Sequence, residues 1–160
     1  MEPDSHAVEL RKEAFTMALY VAICLLAALT AVSHDTSHID TFKIVWGTTI
    51  GLAAAHWFAF RVSARLVAFG VVRRHDAQVA GAQLAGAGAV AVLSTLPVIL
   101  FSESIELDVV RYVLAIFIAV VGYAVARASG ATMARAVAYA ASVLIVASAV
   151  AVAKNALAGH

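Results

Sequence analysis

An all-α fold is predicted for this chain: a polytopic membrane bundle of five transmembrane helices, N-terminus inside and C-terminus outside. Three observations predict it. Apolar residues make up 63% of the 160 residues and charged residues only 13%, where a water-soluble domain carries about 25% charged residues. The apolar residues gather into five long runs, with a mean hydropathy of +0.93 for the whole chain. The basic residues collect at alternate ends of those runs. At this length the chain is expected to form a single transmembrane domain over residues 1–160.

A spanning helix needs about 20 mostly apolar residues, because each adds about 1.5 Å across a hydrocarbon core of about 30 Å. The runs go from about Ala14 to Ser33, Ile44 to Val62, Val79 to Phe101, Leu107 to Ala126 and Met133 to Ala153. Helix is the expected conformation for each, since lipid cannot satisfy an open sheet edge. The first run is preceded by Glu2, Asp4, Glu9 and Glu13 as well as Arg11 and Lys12. That flank is not net basic, so an uncleaved helix is expected rather than a signal peptide.

Orientation follows from charge. Arg11, Lys12, Arg61, Arg65, Arg73, Arg74, Arg127 and Arg135 stand at one set of ends, and Lys43, Arg111 and Lys154 at the other. Cytoplasmic loops hold the excess of Lys and Arg, which places the N-terminus in the cytoplasm. Residues 61–78 form a basic inner segment that mixes Arg with apolar residues, as a helix at the interface does, and Gly70 is a plausible break. Ser102 to Leu107 reads as a tight acidic outer turn and Arg127 to Thr132 as a tight inner one, so runs three, four and five should pack in sequence. Arg61-Val62-Ser63-Ala64 and Arg127-Ala128-Ser129-Gly130 resemble each other, which leaves a parallel internal repeat conceivable.

Helices in lipid associate by close packing, so small residues mark contact faces. Run two carries Gly47, Gly51 and Ala55. Run three carries Gly81, Ala85 and Ala89 on one row and Ala82 and Gly86 on the next, and run five carries Ala134, Ala138, Ala141 and Ala149. Such thin helices leave little room for a private cavity, and a homo-oligomer is the expected state. In run one, Glu13, Thr16, Tyr20, Cys24, Ala27 and Ala31 share a face that should point into the bundle. Pro97 is expected to bend the outer end of run three.

The candidate chemistry is sparse. His56 is an ionisable group at membrane depth, a position where such groups mark ion paths, and an imidazole titrates near neutral pH. With Glu13, Tyr20 and Thr49 it makes the candidate set for a transport path or pH sensing. Asp35, Asp40, Glu103, Glu106 and Asp108 gather at the outer mouth, where rings of acid concentrate cations. Asp108 precedes Arg111 by three residues and is placed to pair with it. His34 and His38 stand four apart among carboxylates, a donor set that suits a divalent transition ion; no other cofactor is expected. Cys24 is the single thiol, so neither an intramolecular disulfide nor a multi-cysteine metal site is available. A phosphate-binding Gly loop, a nucleophile triad and a basic aromatic patch are all missing, which argues against an enzyme and against nucleic-acid binding.

These features lead to an expected multi-pass protein of a cell membrane, a bacterial cytoplasmic membrane by its alanine and arginine usage. Its expected activity is that of an oligomeric channel or carrier for protons, potassium or a divalent metal. Two alternatives are a non-transporting accessory or scaffold subunit of a larger membrane complex, and an outer-face metal or pH sensor. The expected partners are membrane lipid, further copies of the chain and a larger membrane protein.

Overall fold

The computed structural model describes residues 3–32, 36–67 and 74–158. Five helices account for nearly all of them: α1 (Pro3–Thr30), α2 (His38–Val67), α3 (Arg74–Leu100), α4 (Glu103–Ala128) and α5 (Met133–Ala158). They hold 26 to 30 residues each, or about 39–45 Å at the helical rise. Each therefore runs past a hydrocarbon core of about 30 Å. Four of them, α1, α3, α4 and α5, are long and apolar enough to cross a membrane. α2 is long enough, but Trp46, Gly47, Thr48, Thr49, Gly51 and His56 dilute its apolar content.

The helices are longer than the apolar runs, because a helix does not stop where its residues turn polar. α1 begins well before Ala14 and carries a charged amphipathic start. α2 continues through Arg61-Val62-Ser63, so that stretch is not a corner and the resemblance to the α4–α5 turn does not extend to its geometry. The true corner after α4 has Ser129 at the C-cap and Gly130 at φ +81°, a left-handed conformation that glycine adopts without a Cβ clash. Gly70 lies outside the described residues. The α3–α4 turn shrinks to Phe101 and Ser102. Its acids open α4 instead, where Glu103 and Glu106 meet the positive end of the helix dipole. α3 stays helical through the buried Pro97 and on to Leu100, with Phe101 N–H donating to Pro97 O at 3.0 Å.

α1 is the central helix and touches all four others, while α3 packs on α4 and α4 on α5. Its inward face is Met17, Val21, Leu25 and Leu29, with Ala18 and Ala22 beside them. Val90 and Ala91 of α3 and Leu107, Val110, Leu114 and Ile118 of α4 complete one apolar cluster. On the outside, Ile99, Leu100, Ile116, Ile145 and Val152 are each more than 60% exposed. That much outward Ile, Leu and Val exceeds what a water-facing surface tolerates and suits lipid.

The small-residue rows divide sharply. A Cβ on Gly86 would stand 2.1 Å from the Ala14 backbone oxygen, so α1 and α3 approach there to backbone contact. A Cβ on Gly122 would meet Ala140 Cα and Val143 at 3.4 Å, which marks the α4–α5 seam. Gly47, Gly51 and Gly81 have nothing within 4 Å of such a carbon and face outward. On α5 the contact row is Ala136, Ala140, Ala147 and Ala151, whereas Ala134, Ala138, Ala141 and Ala149 are exposed. The contact row is picked by where the α4 seam falls, and several alanine rows on α5 are equally small. Gly86→Ala should cost about 1–3 kcal/mol through overpacking, whereas Gly81→Ala should be neutral or stabilising by up to about 1 kcal/mol through helix propensity. Thermal unfolding in detergent micelles checks the contrast.

Candidate functional site

The close approach of α1 and α3 brings polar side chains together at the end of the bundle that holds Arg11 and Arg61. Gln83, on α3, lies between Glu13 of α1 and His56 of α2. Its Nε2 donates to Glu13 Oε2 at 2.8 Å, and its Oε1 stands 2.9 Å from His56 Nε2. A carboxylate only accepts, so the amide nitrogen must face Glu13 and the amide oxygen His56. His56 therefore donates from Nε2, and in the neutral ring Nδ1 carries the lone pair. Glu13 and Gln83 are half-buried, while His56 is exposed.

This chain of bonds borders an open cleft of about 230 Å³ lined by Thr16, Met17, Tyr20, His56 and Gln83. The stripe predicted on α1 thus enters the core only at Ala27, which is buried. Thr16 and Tyr20 are exposed on the cleft, and the core face of α1 is the neighbouring apolar one. The cleft lies beside the aromatic boundary of α2, where the Arg61 guanidinium stacks over Trp57 at 4.8 Å. Thr49 lies apart: it is buried, and its hydroxyl donates to Val45 O of its own helix at 2.8 Å.

The opposite end holds a second polar group. Ser37 caps α2: its carbonyl accepts from Asp40 N and Thr41 N at 3.0 Å, and its hydroxyl donates to Asp40 Oδ2 at 2.8 Å. Its Oγ also accepts from Asp40 N at 3.3 Å, so Ser37 is the N-cap and Asp40, at the third helical position, binds the capping hydroxyl. Hydrogen bonds from Lys43 Nζ and then from Ser37 hold the Asp40 carboxyl below the usual aspartate range. Both bonds favour the ionised form, so the contribution of the cap is present above the ordinary carboxyl range and is lost as pH falls through the lowered value.

His38 opens the first turn of α2, where its Nδ1 meets Glu106 Oε2. Its backbone N–H reaches Glu103 Oε1 at 3.4 Å. Glu106 is fully buried while His38 is 39% exposed. Glu106 therefore does not join an outer acidic mouth; it sits inside the bundle, partnered by one imidazole. Glu106 Oε1, Thr41 Oγ1 and Ser94 Oγ are buried without a protein hydrogen-bond partner. Glu103 and Asp40 are exposed at the same end, and Asp108 pairs with Arg111 as its spacing predicts, at 3.0 Å. His34 and Asp35 lie outside the described residues.

Arg111 does more than pair locally. Its Nε and one terminal nitrogen donate to Leu29 O at 3.2 and 2.6 Å, and the latter nitrogen also reaches Val32 O at 3.0 Å. A guanidinium thus caps the final carbonyls of α1, where the helix dipole is negative. Nothing in the spacing of Arg111 pointed across to α1, since the partners are backbone oxygens about eighty residues away. Gln83 also escaped the sequence reading, because a lone glutamine in an apolar run carries no motif.

No protein-family model matches the chain, and comparison with curated proteins and with solved structures finds no match. The fold and these residues define its class: a helical bundle with four helices fit to cross a membrane and a polar cluster at each end. Arg111→Ala should lower stability by about 2 kcal/mol, the scale of hydrogen bonds to a charged group. Arg111→Lys should recover only part of it, because an ammonium cannot fork between two carbonyls. Thermal unfolding in micelles reads both.

Proposed function

We propose that this chain is a multi-pass membrane protein that moves protons or another small cation and assembles as a homo-oligomer. The observation that carries the reading is the Glu13–Gln83–His56 chain on the wall of an open cleft. Ionisable groups at membrane depth are costly and are kept where a charge must pass or be sensed. Here an imidazole and a carboxylate are held by one amide. Gln83 does not relay a proton itself. It fixes the two groups on either side of one amide. His56 Nδ1 and the free Glu13 oxygen are then the atoms that take up and give back a proton or hold a cation.

Five crossings with the N-terminus inside fit this reading. α2 is tied to α3 by Trp46 Nε1–H donating to Thr95 Oγ1 at 3.0 Å and by the His56–Gln83 bond at 2.9 Å. These bonds support a fifth crossing alongside α3, which is apolar and long enough to cross. Leu25, Leu29, Leu114 and Ile118 fill the centre of the bundle and are fully buried, so the passage runs along the α1–α2 cleft and between copies. The outward rows Gly47, Gly51, Ala55 and Gly81, Ala85, Ala89 supply close-packing faces for a second copy. The same faces fit the alternative, a scaffold subunit docked on a larger membrane protein.

In proteoliposomes the wild-type protein should dissipate a proton, potassium or divalent-cation gradient. His56→Ala and Gln83→Leu should each slow the flux by about tenfold or more, and Ile145→Val on the outer face of α5 should leave it unchanged. Vesicles that stay tight under all three gradients would reject transport and favour the scaffold. Topology is checked separately in a Cys24→Ser background. A cysteine at Ser37 should react with an impermeant thiol reagent added to intact cells, and one at Ser129 only after permeabilisation. The reverse pattern would invert the orientation.

A further inference from the structure

The charged start of α1 runs alongside the start of α3, and three nitrogen and oxygen donors converge there. His6 and Glu9 are three residues apart on one face of α1, and His75 is the second residue of α3. His75 Nε2 stands 3.4 Å from Glu9 Oε1. The His6 and His75 rings lie 5.4 Å apart, centroid to centroid, and tilted by 46°. One ligand atom from each of the three residues falls within 4.8 Å of the others. We propose that His6, Glu9 and His75 form a binding site for a zinc-class divalent transition ion.

The geometry is close to what such an ion needs. At bond lengths of about 2.0–2.1 Å, donors around a tetrahedral ion stand about 3.3 Å apart. The Glu9–His75 pair already has that separation, and side-chain rotation of His6 closes the rest. His6 is half-buried while Glu9 and His75 are exposed, so the donors are free to rotate and the outer side stays open to a water as fourth ligand. The donor set selects the ion. Two imidazoles and one carboxylate suit zinc and its first-row neighbours, whereas magnesium and calcium prefer oxygen alone. Charge argues the same way. Two protonated imidazoles side by side would repel, with one carboxylate between them, while a dication binds both lone pairs and the carboxylate together. Asp76 adds a further acid in the same turn of α3. The site is distinct from His38, which lies at the opposite end of the bundle, and its ligands come from two helices.

Bound metal would clamp the start of α1 to α3, one turn of α1 before Glu13. The inference stands without the transport reading, because it concerns equilibrium binding and needs no flux. The test is calorimetric titration of zinc chloride, with magnesium chloride as a control, into the purified full-length protein in micelles with any affinity tag removed. Wild type should bind one zinc per chain and no magnesium. His6→Ala and His75→Ala should each weaken zinc by at least about tenfold with unchanged helical circular dichroism, and His38→Ala should have no effect. Cobalt substitution should give an absorption spectrum with imidazole ligation that His75→Ala abolishes. Absence of zinc binding to wild type, unchanged affinity in His75→Ala, or loss of binding in His38→Ala instead would each overturn the proposal.

Discussion

Backbone contact between α1 and α3, made at Gly86 against the Ala14 carbonyl, holds the rest of the molecule in place. Lipid offers helices no hydrophobic reason to associate, so the distance at which two backbones can pack sets how much dispersion energy they gain. A glycine at that crossing lets α1 lie in the middle of the bundle and touch every other helix. Once the two axes are pinned, the polar residues of both follow. Glu13 faces Gln83, and Glu9 and His6 face His75, because one crossing sets the register along the whole seam.

The resulting bundle is polar at both ends and largely apolar at its centre. Arg111 closes the last turn of α1, and His38 partners the buried Glu106, at one end. Gln83 links an imidazole to a carboxylate at the other. Between them stand Val21, Leu25, Leu114 and Ile118 without exposure. A charge crossing that layer through the centre would meet these apolar side chains, at a cost of several kcal/mol. The proposed transport path is therefore drawn along the cleft beside α1 rather than through the centre.

Much of this was legible in the residues. The five helices follow from five apolar runs, and the pairing of Asp108 with Arg111 from a three-residue spacing. Of the residues selected with His56, Tyr20 lines the same cleft, Glu13 is reached through Gln83, and Thr49 lies apart. The helix ends were less legible, because Pro3–Glu13 and Arg61–Val67 remain helical after the apolar pattern has stopped. Gln83 was invisible because its role is to join two helices, and a joint has no signature within either. The glycines were legible as a type and not as positions: Gly81 and Gly86 lie on neighbouring rows of α3, and only one row can face α1.

By itself the amino-acid sequence determined that this chain belongs in five long helices of a membrane-protein type and which residue types would sit at their ends; four of the five are long and apolar enough to cross a bilayer. Those properties depend on solvation and on hydrogen bonding within a segment, and both are local. The tertiary structure alone decided that Gly86 rather than Gly81 makes the contact, that Glu106 is buried, that Arg111 caps a distant helix, and that His56, Gln83 and Glu13 share one chain of bonds. Each of these depends on the rotation and register of one helix against another. That geometry is settled by the packing of whole surfaces, which no single run of residues contains.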